Sequence, residues 1–137
     1  MRFRDVIGQE ILKKSLLNAV LEDKVSHAQL FSGKAGYGTL PLALAYSQFL
    51  FCENKKADDS CGECLSCIKV EKLQHPDLHF VFPVVPQEKN SKQATSDDFI
   101  DDWREQISSN PYFNLGDWTK KIDVKEKNRF VGFDAYK

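Results

Sequence analysis

His27-Ala28-Gln29-Leu30-Phe31-Ser32-Gly33-Lys34-Ala35-Gly36-Tyr37-Gly38-Thr39-Leu40-Pro41-Leu42 is the stretch on which the fold turns. Residues 27–32 read as a short strand and 33–38 as a glycine-rich loop. Residues 40–51 are rich in Ala and Leu and contain no Gly. Their only Pro, Pro41, sits near the start, where a helix tolerates it. Strand, glycine loop and helix in that order place backbone N–H groups around a phosphate. Upstream, residues 9–24 form an amphipathic pattern. Leu12, Leu16, Ala19 and Val20 fall on one face, with Lys13, Lys14 and Asn18 between them. Downstream, residues 68–73 read as helix and 78–82 as a second strand, closed by Pro83 and Pro86. Two strands separated by helical segments predict an α/β fold with a parallel sheet flanked by helices.

The glycine loop is close to a Walker A motif, G-x-x-x-x-G-K-[ST], and departs from it where the chemistry lies. In that motif the lysine reaches the β- and γ-phosphates and the hydroxyl binds Mg²⁺. With Gly33 and Gly38 as the two glycines, Thr39 takes the lysine position and Leu40 the hydroxyl position. Lys34, just after the first glycine, does not restore the missing lysine, and Gly36 adds only backbone freedom. No apolar strand ends in the acidic pair that would hold a metal and orient water: 78–82 runs into proline, and Asp101-Asp102 lies in a helical pattern. The loop Gly33, Lys34, Gly36, Gly38, Thr39, Leu40 therefore reads as a degenerate nucleotide loop, with no catalytic residues and no bound nucleotide expected. Residual binding through backbone N–H groups is the alternative.

All four cysteines fall within sixteen residues, as Cys52-x8-Cys61-x2-Cys64-x2-Cys67. Gly62 permits a left-handed turn between two ligands, and Cys67 lies one helical turn beyond Cys64. Four thiolates with no open position fit structural zinc. An iron–sulfur cluster, a redox CxxC pair and unmetallated thiols are the alternatives. His75 could substitute as a ligand, but before Pro76 it reads as a turn residue. Lys55, Lys56, Asp58, Asp59 and Glu63 make the intervening loop polar and surface-exposed in this reading. A chelator is expected to loosen 52–67 and leave the sheet intact.

Composition narrows the remaining classes. The 137 residues carry 19 Lys+Arg and 20 Asp+Glu, a net charge of −1, balanced in both halves, so strong bulk attraction to nucleic acid or anionic lipid is not built in. Ten Phe and two Trp within 42% hydrophobic residues supply a modest core and exclude a wholly disordered chain. The longest apolar stretch, 40–52, is too short and interrupted to span a bilayer, and the start lacks a signal-peptide core, so a cytoplasmic location is expected. Residues 87–96 read as a polar loop and Ser96 as a helix N-cap. Phe99, Trp103 and Ile107 then line one helical face, which Asn110-Pro111 ends, and Trp118 and Ile122 suggest a shorter helix.

Together these features resemble the bacterial DNA polymerase III clamp-loader subunits, of the AAA+ class. The resemblance covers roughly residues 1–86. It runs through Val6-Ile7-Gly8-Gln9, His27-Ala28, Leu30-Phe31, the glycine loop, the four cysteines and His75-Pro76-Asp77. A zinc module placed directly after the P-loop helix is its most specific element. Within the family the chain looks like the delta-prime type, because the motor subunits gamma and tau keep a working lysine and threonine where this chain has Thr39 and Leu40.

The resemblance implies a partial AAA+ P-loop-type sheet in residues 1–86, with a zinc-binding module at 52–67. Residues 87–137 are then a polar loop, a helical insertion and an unassigned C-terminal segment. It implies a non-catalytic subunit that helps ATP-driven gamma/tau partners, with delta, to load the sliding clamp on primed DNA during DNA replication. It places Val6-Ile7-Gly8 beside the family's adenine pocket. The family's AAA+ module and its arginine-bearing motif run beyond 137 residues, so an N-terminal portion of such a subunit is expected. The alternatives are an active P-loop ATPase of the gamma/tau type and a free-standing zinc-binding or redox module.

Overall fold

A computed structural model describes residues 1–85 and 94–126 of the chain. The chain divides into two compact units, Met1–Leu78 and His79–Lys137.

The first unit is built around one helix. After a short 3-10 helix, Phe3–Asp5, come α1 (Glu10–Leu21), α2 (Thr39–Phe51) and α3 (Leu65–Glu71). Pro41 lies in the first turn of α2, where its missing N–H has no intrahelical acceptor to lose. Pro41, Leu42, Leu44, Ala45, Tyr46, Gln48 and Phe49 are all buried, so α2 is enclosed on most of its circumference. It packs against α1, α3 and the 3-10 helix. Phe3, Val6, Leu17, Leu42, Ala45, Tyr46 and Phe49 form the core, and the Phe3 and Phe49 rings meet edge to face at 5.8 Å.

Helices α1 and α3 end alike, and earlier than their apolar patterns suggest. Lys24 N donates to Ala19 O and Asp23 N to Val20 O, with Asp23 left-handed at φ 55°. Gln74 N donates to Lys69 O and Leu73 N to Val70 O, with Leu73 at φ 54°. These are Schellman closures without glycine. At Leu73, burial of the side chain offsets a left-handed backbone that costs roughly 1–2 kcal/mol.

The core face of α1 also differs from the sequence reading. Leu16 and Val20 pack on the core as expected, whereas Leu12 is half exposed and Leu17 is buried instead. Lys13, read as a solvent-facing residue, is buried. Its Nζ donates to Val6 O at 2.7 Å and to Glu10 Oε1 at 2.9 Å.

The expected parallel sheet is not found among the described residues, which contain only a single-residue bridge at Val84 and no strand. A strand exists only through a neighbour, and neither segment has one here. Residues 27–32 are held by side chains: Phe31 packs on Tyr46 at 6.0 Å, and Gln29 Nε2 donates to Tyr46 Oη at 2.7 Å, while Leu30 is 90% exposed. In the second unit, Ser96 Oγ accepts from Phe82 N and donates to Phe82 O, and Trp118 Nε1 donates to Pro83 O. Side chains there take the backbone groups that a strand would have offered to a ladder.

The second unit contains a 3-10 helix, Ser96–Phe99, then α4 (Ile100–Ser109) and α5 (Leu115–Glu126). The N-cap is Thr95, which pairs reciprocally with Asp98; Ser96 is instead a buried bridge to Phe82. Phe99, Trp103 and Ile107 are all buried, as are Trp118 and Ile122, in agreement with the helical spacing. Phe82 stacks on Trp103 at 4.3 Å, and Trp118 meets both rings edge-on. Most of the polar loop at 87–96 lies outside the described residues. No described helix is long and apolar enough to cross a membrane.

Candidate metal centre and glycine loop

The structure brings all four cysteines together. Cys52 caps the C-terminus of α2, Cys61 follows the polar loop, Cys64 is the N-cap of α3, and Cys67 lies in its first turn. Their sulfur atoms lie within 4.8 Å of one another. Cys52 and Cys61 Sγ are 3.6 Å apart, and Cys61 and Cys67 Sγ 3.9 Å. A tetrahedral ion with metal–sulfur bonds of about 2.3 Å requires sulfurs about 3.8 Å apart. The spacing therefore fits a four-coordinate ion.

Backbone N–H groups already point at the sulfurs. Glu63 N and Cys64 N donate to Cys61 Sγ at 3.4 and 3.3 Å. Cys61 N donates to Cys52 Sγ at 3.3 Å, and Cys67 N to Cys64 Sγ at 3.4 Å. The donors from Glu63 and Cys64 lower the Cys61 thiol to about 6, which favours its thiolate form. Burial raises Cys52 and pushes Cys67 up to about 12. An ion entering the site would therefore compete with protons at the raised Cys52 and Cys67 thiols.

Gly62 has φ 78°, the left-handed turn expected between two ligands. His75 is no part of the cluster. Its ring stacks on Phe51 at 4.3 Å, and its Nδ1 accepts from Asp77 N.

Asp59 is the residue the sequence reading missed. Placed there in a surface loop, it is 3% exposed. Its Oδ1 accepts from Phe3 N at 3.0 Å and Ser60 N at 2.8 Å, and its Oδ2 from Arg4 N at 3.1 Å and Arg4 Nε at 3.3 Å. A carboxylate amid charged neighbours carries no sequence signal for burial; apart from Ser60, its partners lie 55 and 56 residues away.

In the glycine loop, Gly33, Lys34, Gly38 and Thr39 line a cavity of about 420 Å³, together with Gln9 and Tyr37; Gly36 and Leu40 are not among its lining residues. The loop is closed by Tyr37 N donating to Lys34 O at 3.1 Å, with Gly36 at φ 80° and Gly38 at φ 88°. Gly38 is the N-cap of α2. The Thr39 methyl lies 2.9 Å from where a Cβ on Gly33 would sit, so Thr39 occupies the space over the first glycine. Among the described residues, the lining contains no carboxylate. A Gly38→Ala substitution is expected to cost about 1–2 kcal/mol, because φ 88° is unfavourable for any residue with a Cβ. A denaturation midpoint equal to that of the unaltered chain would contradict this.

The profile of one protein family, described as DNA polymerase III, delta subunit, matches residues 8–122. The chain is 46% identical over 66 residues to DNA polymerase III subunit tau of Bacillus subtilis (strain 168), covering 48% of this chain and 12% of the relative. It is 41% identical over 75 residues to DNA polymerase III subunit delta' of the same organism, covering 55% of this chain and 22% of the relative. It is 36% identical over 76 residues to subunit tau of Escherichia coli (strain K12), covering 56% of this chain and 12% of the relative. The chain thus spans between 12% and 22% of the length of these relatives. No solved structure matches it. With a profile match over most of its length, the chain belongs to the DNA polymerase III, delta subunit family.

Proposed function

We propose that the chain acts as a non-catalytic, delta-prime-like component of the replicative clamp loader, in the cytoplasm, with structural zinc in its four-cysteine centre. The carrying observation is Thr39. It stands where a working P-loop has its phosphate-binding lysine, and its methyl group covers Gly33. Leu40, at the next position, has no hydroxyl for Mg²⁺. Neither residue can neutralise charge on a transferring phosphoryl group, so hydrolysis falls to partner subunits. Relatives named both tau and delta' support the clamp-loader reading, and the loop chemistry favours the second type.

In this reading residues 1–86 supply part of an AAA+ module. The degenerate loop 33–40 holds no nucleotide. Residues 87–137 comprise a polar loop, a helical insertion and an unassigned C-terminal segment. The subunit is a rigid neighbour to gamma/tau and delta while the clamp is opened and placed on primed DNA. A zinc ion would be held by Cys52, Cys61, Cys64 and Cys67, where it supplies folding free energy and no chemistry.

The test pairs association with turnover. The full-length protein is expected to co-purify with gamma/tau and delta, and alone to hydrolyse ATP no faster than a buffer control. Failure to associate would remove the clamp-loader role. Saturable turnover lost on Lys34→Ala would instead favour an active ATPase.

A further inference from the structure

Asp59 joins two parts of the chain that the sequence keeps far apart. On one side it precedes Ser60 and Cys61 in the loop that carries the metal ligands. On the other its carboxylate takes the backbone N–H of Phe3, the backbone N–H of Arg4 and the Arg4 guanidinium. Arg2 makes a second junction. Its guanidinium Nη1 lies 2.9 Å from where a Cβ on Gly62 would sit, so it rests on the knuckle between Cys61 and Cys64. Four thiolates around a divalent cation would carry two net negative charges, and Arg2 brings a cation to the Gly62 knuckle between two of them. Phe3 and Val6, which the same segment carries, are buried core residues.

We propose that Asp59 makes the segment 1–6 part of the metal module, so that loading the four-cysteine centre and docking this segment on the core are one cooperative step. The proposal rests on the reading of the cysteine cluster as a metal site. Its physical basis is the loop 53–61. The ion fixes Cys52 and Cys61, and with them Asp59 and Ser60, and Asp59 then offers two oxygens to four N–H donors. Without the ion this loop has few apolar contacts to hold it, and the donors of Phe3 and Arg4 lose a fixed acceptor. Metal loss therefore reaches beyond 52–67, to residues that bury Phe3 and Val6.

Asp59→Asn is the informative variant, with Asp58→Asn, an exposed neighbour, as control. Whichever way an asparagine amide turns, its NH₂ faces two N–H donors: Phe3 N and Ser60 N, or Arg4 N and Arg4 Nε. Zinc affinity is read by competition with a chromophoric chelator, and amide exchange by mass spectrometry on the whole chain, with and without zinc. In the unaltered chain, chelation is expected to strip protection from Phe3 and Arg4 together with 60–67. Asp59→Asn is expected to weaken zinc binding about ten-fold or more, while Asp58→Asn changes it little. Stoichiometric zinc with 60–67 responding to chelation, but Phe3 and Arg4 unchanged, overturns the coupling and leaves the metal site standing. Absence of stoichiometric metal overturns both. If Asp59→Asn does not fold, the exchange pattern of the unaltered chain decides alone.

Discussion

Replacing Cys67 with alanine is expected to abolish tight metal binding and to cost more than about 4 kcal/mol of stability in the first unit. Cys67 is fully buried, with its sulfur 3.9 Å from Cys61 Sγ, in the first turn of the helix that packs on α2. Alanine there leaves three ligands and an open coordination position. It also leaves a void beside the buried sulfurs of Cys52 and Cys61. Structural zinc in small modules supplies roughly 10–16 kcal/mol of apparent binding free energy at neutral pH, so even partial loss outweighs an ordinary core truncation. Metal content by mass spectrometry and urea melts with and without zinc check this. A variant that retains one metal per chain and the parental midpoint would refute it. Leu65→Ala, two residues earlier on an exposed position, should change little.

Trp118→Ala is expected to cost about 3–5 kcal/mol and to unfold the second unit while α1 to α3 keep their exchange protection. Trp118 is 1% exposed, meets Phe82 at 5.1 Å and Trp103 at 5.0 Å, and donates its indole N–H to Pro83 O at 2.7 Å. Truncation removes the ring that packs edge-on against both Phe82 and Trp103 and also leaves the Pro83 carbonyl without its donor, two costs that add. Trp118→Phe separates them. It keeps an aromatic ring and loses only the donor and some volume, so it should cost roughly 1–3 kcal/mol. Near-ultraviolet dichroism of the remaining Trp103 reports the outcome. Equal effects from the two variants would mean that the hydrogen bond, and not ring packing, holds the unit.

Local features survived the passage from sequence to structure best. The described helices lie near their predicted positions because apolar spacing and Pro41 in a first turn act over a few residues. The cysteine centre was legible for a different reason: few other arrangements use four thiols at those spacings, and Gly62 supplies the turn between them. The sheet was not recovered among the described residues, since a strand depends on a partner that local sequence cannot specify. Ser96 and Trp118 side chains serve the backbone of Phe82 and Pro83 instead. Helices α1 and α3 end earlier than their apolar spacing predicts because Asp23 and Leu73 adopt a conformation that glycine usually marks.

By itself the sequence determined the helices, the grouping of the four cysteines, and the presence of Thr39 and Leu40 where a Walker A motif has lysine and a hydroxyl. Each follows from residue type at short range. The tertiary structure alone decided that Lys13 and Asp59, two charged residues that read as solvent-facing, are buried. Lys13 finds the carbonyl of Val6, and Asp59 finds the amides of Phe3 and Arg4. A buried charge is tolerated only where other groups complete its hydrogen bonds; for Lys13 these lie three and seven residues away, for Asp59 55 and 56, and in both cases folding brings them into place.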